Sequence, residues 1–197
     1  MATTNQADGG ADHGATAPAN DAPIMFAVPD ITEDDIAAVT RTLRSGWLTT
    51  GGECQQLEED LAAHVGADHV VGVSSCTAAL EITIAHLRLR PGARIGVPAW
   101  TFVSTALAAV HNRLQVVLID VDPDTLNLDP AALAAALAEG LEAVIAVHFG
   151  GVPVPREIHD LCQTAGVPLI EDAAHALGAT DHRGAVGSAG PSPACFS

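Results

Sequence analysis

The stretch "VPLIEDAAHALGA" (167–179) decides the fold class, because an apolar run leads directly into an acidic pair and a turn of small residues. An apolar run without polar alternation is typical of a strand that helices cover on both faces. Runs of similar character precede it at 69–74, 94–99, 115–121 and 143–149. Helical patterns lie between the runs, near 77–89, 103–112, 130–139 and 155–165. This alternation predicts an α/β fold: a three-layer, mostly parallel sheet with helices on both faces.

Two helices are predicted before the first of these runs. The segment "TEDDIAAVTRTLRSG" (32–46) begins with Thr32 as the N-cap, carries acidic residues in its first turn and stops at Gly46. A second helix is expected over residues 53–65. Residues 1–22 are small and polar and lack the basic and apolar regions of a signal peptide, so they predict a disordered leader.

The chain is strongly acidic, with 24 Asp and Glu against 8 basic residues and a formal net charge of -16. This balance argues against nucleic acid or an anionic membrane as a partner, and no apolar run has the length of a membrane span. A cytoplasmic location is expected. The four cysteines show no paired spacing and the nine histidines form no metal-binding motif, so we expect reduced thiols and no metal site. All eight basic residues are arginines, so the chain contains no lysine.

The segment "VVGVSSCTAAL" (70–80) runs from a predicted strand into a helix N-terminus. Free backbone N–H groups and the helix dipole favour an anion there, and Ser74, Ser75 and Thr77 add hydroxyl donors. A helix cap alone explains the segment equally well. The glycines and the Gly-Lys pair of a P-loop are missing, and so is the GxGxxG spacing of a dinucleotide site, which disfavours a dehydrogenase.

Other segments bring charge and aromatic rings to the carboxyl ends of the strands, where open parallel sheets bind ligands. Asp172 ends an apolar strand, so we expect its carboxylate to be partly enclosed and able to hold a positively charged ring nitrogen, the alternative being a surface turn. His175 either contacts the same ligand or packs locally. Trp100 and Phe102 either fill the core or present a ring for stacking. An anion cradle, a stacking ring and this carboxylate together describe a pyridoxal phosphate (PLP) pocket.

With these residues in place, the chain resembles the DegT/DnrJ/StrS family of PLP-dependent nucleotide-sugar aminotransferases, which have the type I aminotransferase fold. The resemblance covers residues 23–197. It rests on colinear blocks that include "SGWLTTGGECQQLEEDLAAHVGA" (45–67), "VSSCTAAL" (73–80), "VPAWTFVSTALA" (97–108), "DVDPDTLNLDP" (120–130), "AVHFGG" (146–151), "IEDAAHALGA" (170–179) and "ACFS" (194–197). It implies that 23–197 is the N-terminal part of the PLP-binding large domain and that the C-terminal small domain is absent.

The resemblance implies three residues that bind the cofactor phosphate. Cys76 and Thr77 do so through backbone N–H groups and the Thr77 hydroxyl, and Ser197 matches a serine that also contacts the phosphate. At Cys76 the family usually has a small residue, most often glycine, so the cysteine implies a tighter pocket.

Around the pyridine ring, the resemblance implies that Phe102 stacks on the face of the ring, that Asp172 binds its nitrogen and that His175 lies near its ring oxygen. Arg113 and Val116 stand where the family usually has glycine and proline. We expect both departures to lie in a surface turn before a strand, away from the pocket.

In the family, the serine matched by Ser197 is followed five positions later by the lysine that forms the Schiff base. The chain has no such lysine, so no catalytic residue is predicted within it. The first hypothesis is a fragment of an aminotransferase that moves an amino group from an amino acid to a keto-sugar nucleotide. The others are a PLP-dependent sugar dehydratase of the same family, in which a histidine replaces the lysine, and a non-catalytic truncated protein that binds a ligand or a partner. A homodimer is implied for the complete protein, with "SGWLTTG" (45–51) facing the partner's cofactor.

Overall fold

The computed structural model describes residues 28–197, which divide into two compact units on either side of the Trp47–Leu48 bond. In the first unit, helix α1 spans Glu33–Ser45. Thr32 caps it and forms a capping box with Asp35, and Gly46 ends it with a φ of 74°. The predicted cap and stop are therefore confirmed. The predicted leader, 1–22, lies outside the described residues.

The second unit, Leu48–Ser197, is an α/β structure built on one five-stranded sheet. Its helices are α2 (Gly52–Val65), α3 (Cys76–His86), α4 (Val103–His111), α5 (Pro130–Ala138) and α6 (Arg156–Ala165), with a 3₁₀ turn at Phe149–Gly151. Its strands are β1 (Arg94–Pro98), β2 (Gln115–Ile119), β3 (Ala143–Val147), β4 (Leu169–Asp172), β5 (Thr180–Asp181), β6 (Gly184–Ala185) and β7 (Ala194–Cys195).

All neighbours in the main sheet are parallel, in the order β2-β1-β3-β4-β7. Strands β5 and β6 form a separate antiparallel hairpin. The carboxyl ends of β4 and β7 lie side by side, because Asp172 is in register with Cys195. The predicted mostly parallel sheet is therefore confirmed, together with the predicted strands at 94–99, 115–121, 143–149 and 167–172, and a fifth strand, β7, begins the closing "ACFS" (194–197).

The sheet lies between two hydrophobic clusters, because every residue of β3 is buried and successive side chains point to opposite faces. On one face, Ile145 packs in a cluster with Leu80 of α3 and Ala108 of α4. On the other, Val144 packs in a cluster that includes side chains of α5 and α6. Helices therefore cover both faces, and the predicted three layers are confirmed. No described helix has the length and apolar character needed to span a membrane.

The prediction of a strand at 69–74 is wrong. The segment has no strand assignment, most of its side chains are exposed, and no other described segment pairs with it in a β-ladder. The Gly72 N–H instead donates a hydrogen bond to the side chain of Glu58, 2.7 Å away. The apolar pattern favours an extended chain, but a strand needs a neighbouring backbone to satisfy its polar groups.

Arg113 and Val116 have different surroundings. Arg113 lies in the turn between α4 and β2 with a φ of 61°, a left-handed conformation that favours glycine. Val116 lies within β2, paired with Ile95, so its predicted place in the turn is wrong. The strand begins one residue before Val116 because the parallel ladder with β1 starts at Gln115.

Candidate cofactor-binding site

Asp172 lies at the carboxyl end of β4 and is only 6% exposed, so the prediction of an enclosed carboxylate is confirmed. Thr105 donates its hydroxyl proton to Oδ2 over 2.8 Å. The Cys76 thiol lies 3.5 Å from Oδ1, and the backbone N–H of Ala174 lies 3.3 Å from the same atom. The charge is thus surrounded by donors from three segments of the chain, as a buried charge requires.

The N-terminus of α3 lies against this carboxylate. Its N-cap is Ser75, whose side chain accepts the Ala78 N–H over 3.2 Å. The N–H groups of Cys76 and Thr77 precede the first intrahelical hydrogen bond, so the helix supplies them with no acceptor. The segment is therefore a helix cap that also retains donors and a positive dipole end, the arrangement that binds phosphate groups.

Cys76 joins the end of α3 to β4 and β7. Its side chain is buried, and Sγ lies 3.2 Å from the carbonyl oxygen of Cys195. Burial and the nearby Asp172 charge raise the pKa of the Cys76 thiol far above its ordinary value. The thiol therefore stays protonated and acts as a packing and donor group, not as a nucleophile. No disulfide joins the four cysteines, all of which lie within the described residues.

The aromatic rings predicted for the site lie at the protein surface. Phe102, the N-cap of α4, is 76% exposed and Trp100 is 54% exposed, so neither ring fills the core. The Trp100 ring centroid lies 6.1 Å from that of Phe149, which in turn lies 6.4 Å from that of His175. Three rings therefore form a row beside the carboxyl ends of the strands, and Phe102 stands one turn from Thr105 on α4.

His175 is exposed, and its ring contacts Phe149 and not Asp172. The turn that carries it packs closely against the 3₁₀ turn at Gly151, where a Cβ atom would lie 2.9 Å from the His175 carbonyl oxygen. Gly151 also has a φ of 81°, so this close approach requires glycine.

The predicted site residues therefore lie at one edge of the sheet, where some of them touch one another and others do not. Cys76 and Asp172 touch, and Thr77 follows Cys76 in the first turn of α3. Ser197 is exposed and lies two residues beyond β7, the strand that pairs with β4. Phe102 is connected to Asp172 through Thr105, whose backbone N–H donates to the Phe102 carbonyl oxygen over 3.1 Å.

Thr105 is the contact residue that the sequence reasoning missed. It is fully buried in α4, and its Oγ1 lies 2.8 Å from the Oγ1 of Thr101 as well as from Asp172. In α4 it follows Ser104 and precedes a run of apolar residues, and a hydroxyl buried beside such a run needs a hydrogen-bond partner. Its partner lies 67 residues away in sequence, and only the fold reveals it.

A second buried polar cluster lies beside the site, centred on Glu171. His148 accepts the Val154 N–H at Nδ1 over 3.0 Å, which places its proton on Nε2, and Nε2 donates to Glu171 Oε2 over 2.8 Å. Arg183, from the β5–β6 hairpin, donates to both Glu171 oxygens over 2.7 and 2.8 Å and also contacts Asp181. Through Arg183, this cluster connects the hairpin to β4. The cluster was not predicted from the sequence, because its residues lie far apart in the chain.

Burial alone would raise the pKa of Glu171, but hydrogen bonds from His148 and Arg183 hold it below its ordinary value. Burial lowers the pKa of His159, which lies 3.9 Å from Glu171. His159, Glu171 and Asp181 have the atoms and spacing of a potential metal-ligand group. Arg183 already contacts both carboxylates, so its guanidinium supplies their positive partner.

The sequence matches the profile of the DegT/DnrJ/EryC1/StrS aminotransferase family over residues 29–197. The chain belongs to this family. Members of the family depend on PLP, and the donor set at Asp172 and the N-terminus of α3 fits that cofactor. The carboxylate suits a protonated ring nitrogen, the first-turn N–H groups suit a phosphate, and the exposed Phe102 ring suits a planar ligand.

Individual relatives span about twice the length of this chain. The spore coat polysaccharide biosynthesis protein SpsC of Bacillus subtilis is 41% identical over 172 residues, which are 87% of this chain and 44% of SpsC. Among solved structures, the chain is similar to Spr1654 of Streptococcus pneumoniae, described as a sugar aminotransferase and solved in its PMP form. The two are 31% identical with a TM-score of 0.79, and the match covers 84% of this chain and 46% of Spr1654. The Escherichia coli GDP-4-keto-6-deoxy-D-mannose-3-dehydratase, solved with hydrated PLP, is 29% identical with a TM-score of 0.77, over 82% of this chain and 43% of that one.

Proposed function

We propose that the chain is the cofactor-binding part of a PLP-dependent aminotransferase that transfers an amino group from an amino acid to a keto-sugar nucleotide. The observation that carries the proposal is the buried, donor-braced carboxylate of Asp172 at the carboxyl end of β4, in contact with the N-terminus of α3. The family match and the similarity to Spr1654 and SpsC support the reaction class and a role in sugar metabolism.

In this proposal, each residue of the site has a separate task. The N–H groups of Cys76 and Thr77 hold the phosphate, with Ser197 as a further donor, and Phe102 covers one face of the ring. Asp172 keeps a proton on the ring nitrogen through a charge-assisted hydrogen bond. PLP supplies an electron sink for a bond broken at the amino-bearing carbon, and a protonated ring nitrogen makes that sink more effective.

The chain itself supplies no lysine to act as the base of the reaction, since none of its 197 residues is a lysine. A positioned general base contributes roughly 10²- to 10⁴-fold to a proton transfer. We therefore infer that this polypeptide binds the cofactor and that turnover requires a proton-transferring residue that it does not supply.

A sugar dehydratase of the same family is a second candidate, favoured by the likeness to the Escherichia coli dehydratase. The contacts proposed for phosphate, ring face and ring nitrogen serve either reaction. The family resemblance implies that the two activities differ in the residue that transfers the proton, a lysine in one and a histidine in the other.

Binding of pyridoxamine 5'-phosphate (PMP) tests the proposed site, because PMP needs no Schiff base with a lysine. In a fluorescence titration, Asp172→Ala is expected to weaken PMP binding about 10- to 100-fold, the effect of losing a hydrogen bond to a charged group. The matched control is Asp160→Ala, which removes an exposed carboxylate of α6 and is expected to bind PMP like the unchanged chain. Equal affinities of Asp172→Ala and the unchanged chain would remove Asp172 from the proposed role.

A further inference from the structure

Two hydroxyl groups form a chain that ends on the Asp172 carboxylate. Thr105 Oγ1 lies 2.8 Å from Asp172 Oδ2 and 2.8 Å from Thr101 Oγ1. An ionised carboxylate only accepts hydrogen bonds, so the single proton of the Thr105 hydroxyl points to Asp172. Thr105 then accepts in its other contact, and Thr101 is the donor. The direction of the whole chain, from Thr101 through Thr105 to Asp172, follows from the charge at its end.

Thr105 is held rigidly in this position. It is fully buried in α4 and lies one turn before Ala108 and Ala109, which are also fully buried. A threonine side chain is restricted at χ1, and a buried hydroxyl without a partner is costly. The packing of α4 therefore holds the Thr105 hydroxyl against Asp172, in addition to the hydrogen bond between them.

The carboxylate of Asp172, by contrast, is free to rotate unless its oxygens are held, because the terminal torsion of an aspartate is broad. Oδ1 faces the Ala174 N–H at a long 3.3 Å and the Cys76 thiol, a weak donor, at 3.5 Å. Among the described residues, Oδ2 receives only the short bond from Thr105. A carboxylate has about four acceptor positions, so these donors leave about one position for a ligand.

We propose that Thr105 is a positioning residue that, together with Thr101, fixes the plane of the Asp172 carboxylate and directs its remaining acceptor position at the ring nitrogen of the cofactor. The inference rests on the proposed function, because it assumes that Asp172 binds this nitrogen. Thr105 touches neither cofactor nor substrate in this role and acts only through Asp172.

Two described titratable groups, the thiols of Cys76 and Cys195, interact electrostatically with Asp172. Burial raises the pKa of Cys195 to about 11, and burial together with the Asp172 charge raises that of Cys76 still further. Both thiols stay neutral between pH 5 and 9. Neither thiol therefore changes its charge during a pH titration of bound PMP over this range.

The test compares Thr105→Val, which keeps the shape of the side chain and removes the hydroxyl, with Thr105→Ser, which keeps the hydroxyl and removes the methyl group. PMP affinity is measured in the full 197-residue chain, and the absorbance of bound PMP is followed against pH. Thr105→Val is expected to weaken binding about three- to tenfold and to lower the pH at which the bound ring nitrogen loses its proton. Thr105→Ser is expected to retain the affinity and the titration of the unchanged chain.

The inference is overturned if Thr105→Val matches the unchanged chain in affinity and titration, or if Thr105→Ser shows the same loss as Thr105→Val, which would indicate packing. If Thr105→Val does not fold, Thr101→Val decides the question. It removes only the outer hydroxyl and is expected to shift the titration in the same direction by a smaller amount, and no shift would overturn the inference. Asp172→Ala separates the two proposals: if it leaves PMP binding unchanged, the proposed function fails, whereas an effect of Asp172→Ala without one of Thr105→Val defeats only this inference.

Discussion

At the scale of single residues, Phe102 and Asp172 each lie in an environment that is unusual for the side chain. The apolar ring is exposed to solvent and the charged carboxylate is buried. Phe102, which is 76% exposed, lies one helical turn before the buried Thr105, and Asp172, which is 6% exposed, accepts a hydrogen bond from the same threonine. Large apolar rings are normally removed from water, and charges are normally left in it. A planar ligand with a cationic ring nitrogen satisfies both residues at once, which supports the proposed cofactor site.

Replacing Phe102 by alanine is expected to weaken PMP binding about two- to tenfold, because a stacked aromatic pair contributes roughly 0.5–1.5 kcal/mol. The free energy of unfolding is expected to change by less than about 0.5 kcal/mol, since the ring is exposed. Fluorescence titration and urea unfolding measure the two quantities. Val110→Ala, at an apolar position of α4 that is 51% exposed, is the control and is expected to leave PMP binding unchanged. Equal losses of affinity in both variants would contradict a stacking role for Phe102.

At the scale of secondary-structure elements, the β5–β6 hairpin depends on Arg183 for its attachment to the sheet. The guanidinium donates to both oxygens of Glu171, whose side chain is 1% exposed, so the hairpin supplies the counter-charge of a core residue. Removing one partner of a buried ion pair leaves an uncompensated charge, which is more costly than never having buried the pair.

Arg183→Met is therefore expected to lower the free energy of unfolding by about 3–5 kcal/mol at pH 7, measured by urea denaturation. Arg156→Met is the control, because Arg156 is 69% exposed and its pair with Asp160 on α6 contributes at most about 1 kcal/mol. A loss in Arg183→Met no larger than in Arg156→Met would show that the hairpin is held by other contacts.

The same cluster predicts a pH dependence with a definite sign. The pKa of Glu171 in the folded chain lies below its ordinary value of 4.5, so its contribution is complete above that value and is lost as the pH falls through the lowered folded pKa. The partly buried His159, whose pKa is lowered by desolvation, also opposes folding once acid protonates it in the unfolded chain. Glu171→Gln is expected to reduce the acid-induced loss of stability below about pH 4.5, and an unchanged acid limb would contradict this assignment.

At the scale of the whole molecule, the residues proposed to contact the cofactor come together in a chain that contains no lysine. The sheet collects these contacts because β4 and β7 run parallel and end together, with α3 and α4 packed on one face above them. The proposed function therefore predicts that this polypeptide binds the cofactor without turnover, since binding depends on residues that the sheet positions and turnover on a proton-transferring group that is not among them.

Incubation of the 197-residue chain with PLP and borohydride is accordingly expected to leave every internal residue unmodified, as read by peptide mass spectrometry. Turnover of glutamate and a keto-sugar nucleotide is expected to stay at the level of free PLP. Binding of PMP by the same preparation is the control for an intact site. Turnover above that level, or a pyridoxyl group on an internal side chain, would contradict the separation of binding from catalysis.

Much of the fold was predictable from sequence because its signals are local. Thr32 and Gly46 mark the ends of α1 through a side-chain cap and a left-handed φ, and these depend only on neighbouring residues. The apolar runs of β3 and β4 predicted strands buried on both faces, since burial on both faces removes polar alternation. Asp172 was predicted to be enclosed for the same reason, as it ends such a run.

The amino-acid sequence alone thus determined the parallel α/β architecture, the ends of most helices and the enclosed carboxylate. The tertiary structure decided what depends on partners distant in the chain: that 69–74 forms no strand, that Thr105 holds Asp172, and that Arg183 serves Glu171. The physical reason is that caps and periodicity are satisfied within a few residues. A β-ladder, a buried hydroxyl or a buried ion pair is satisfied only by the group that the fold places opposite it.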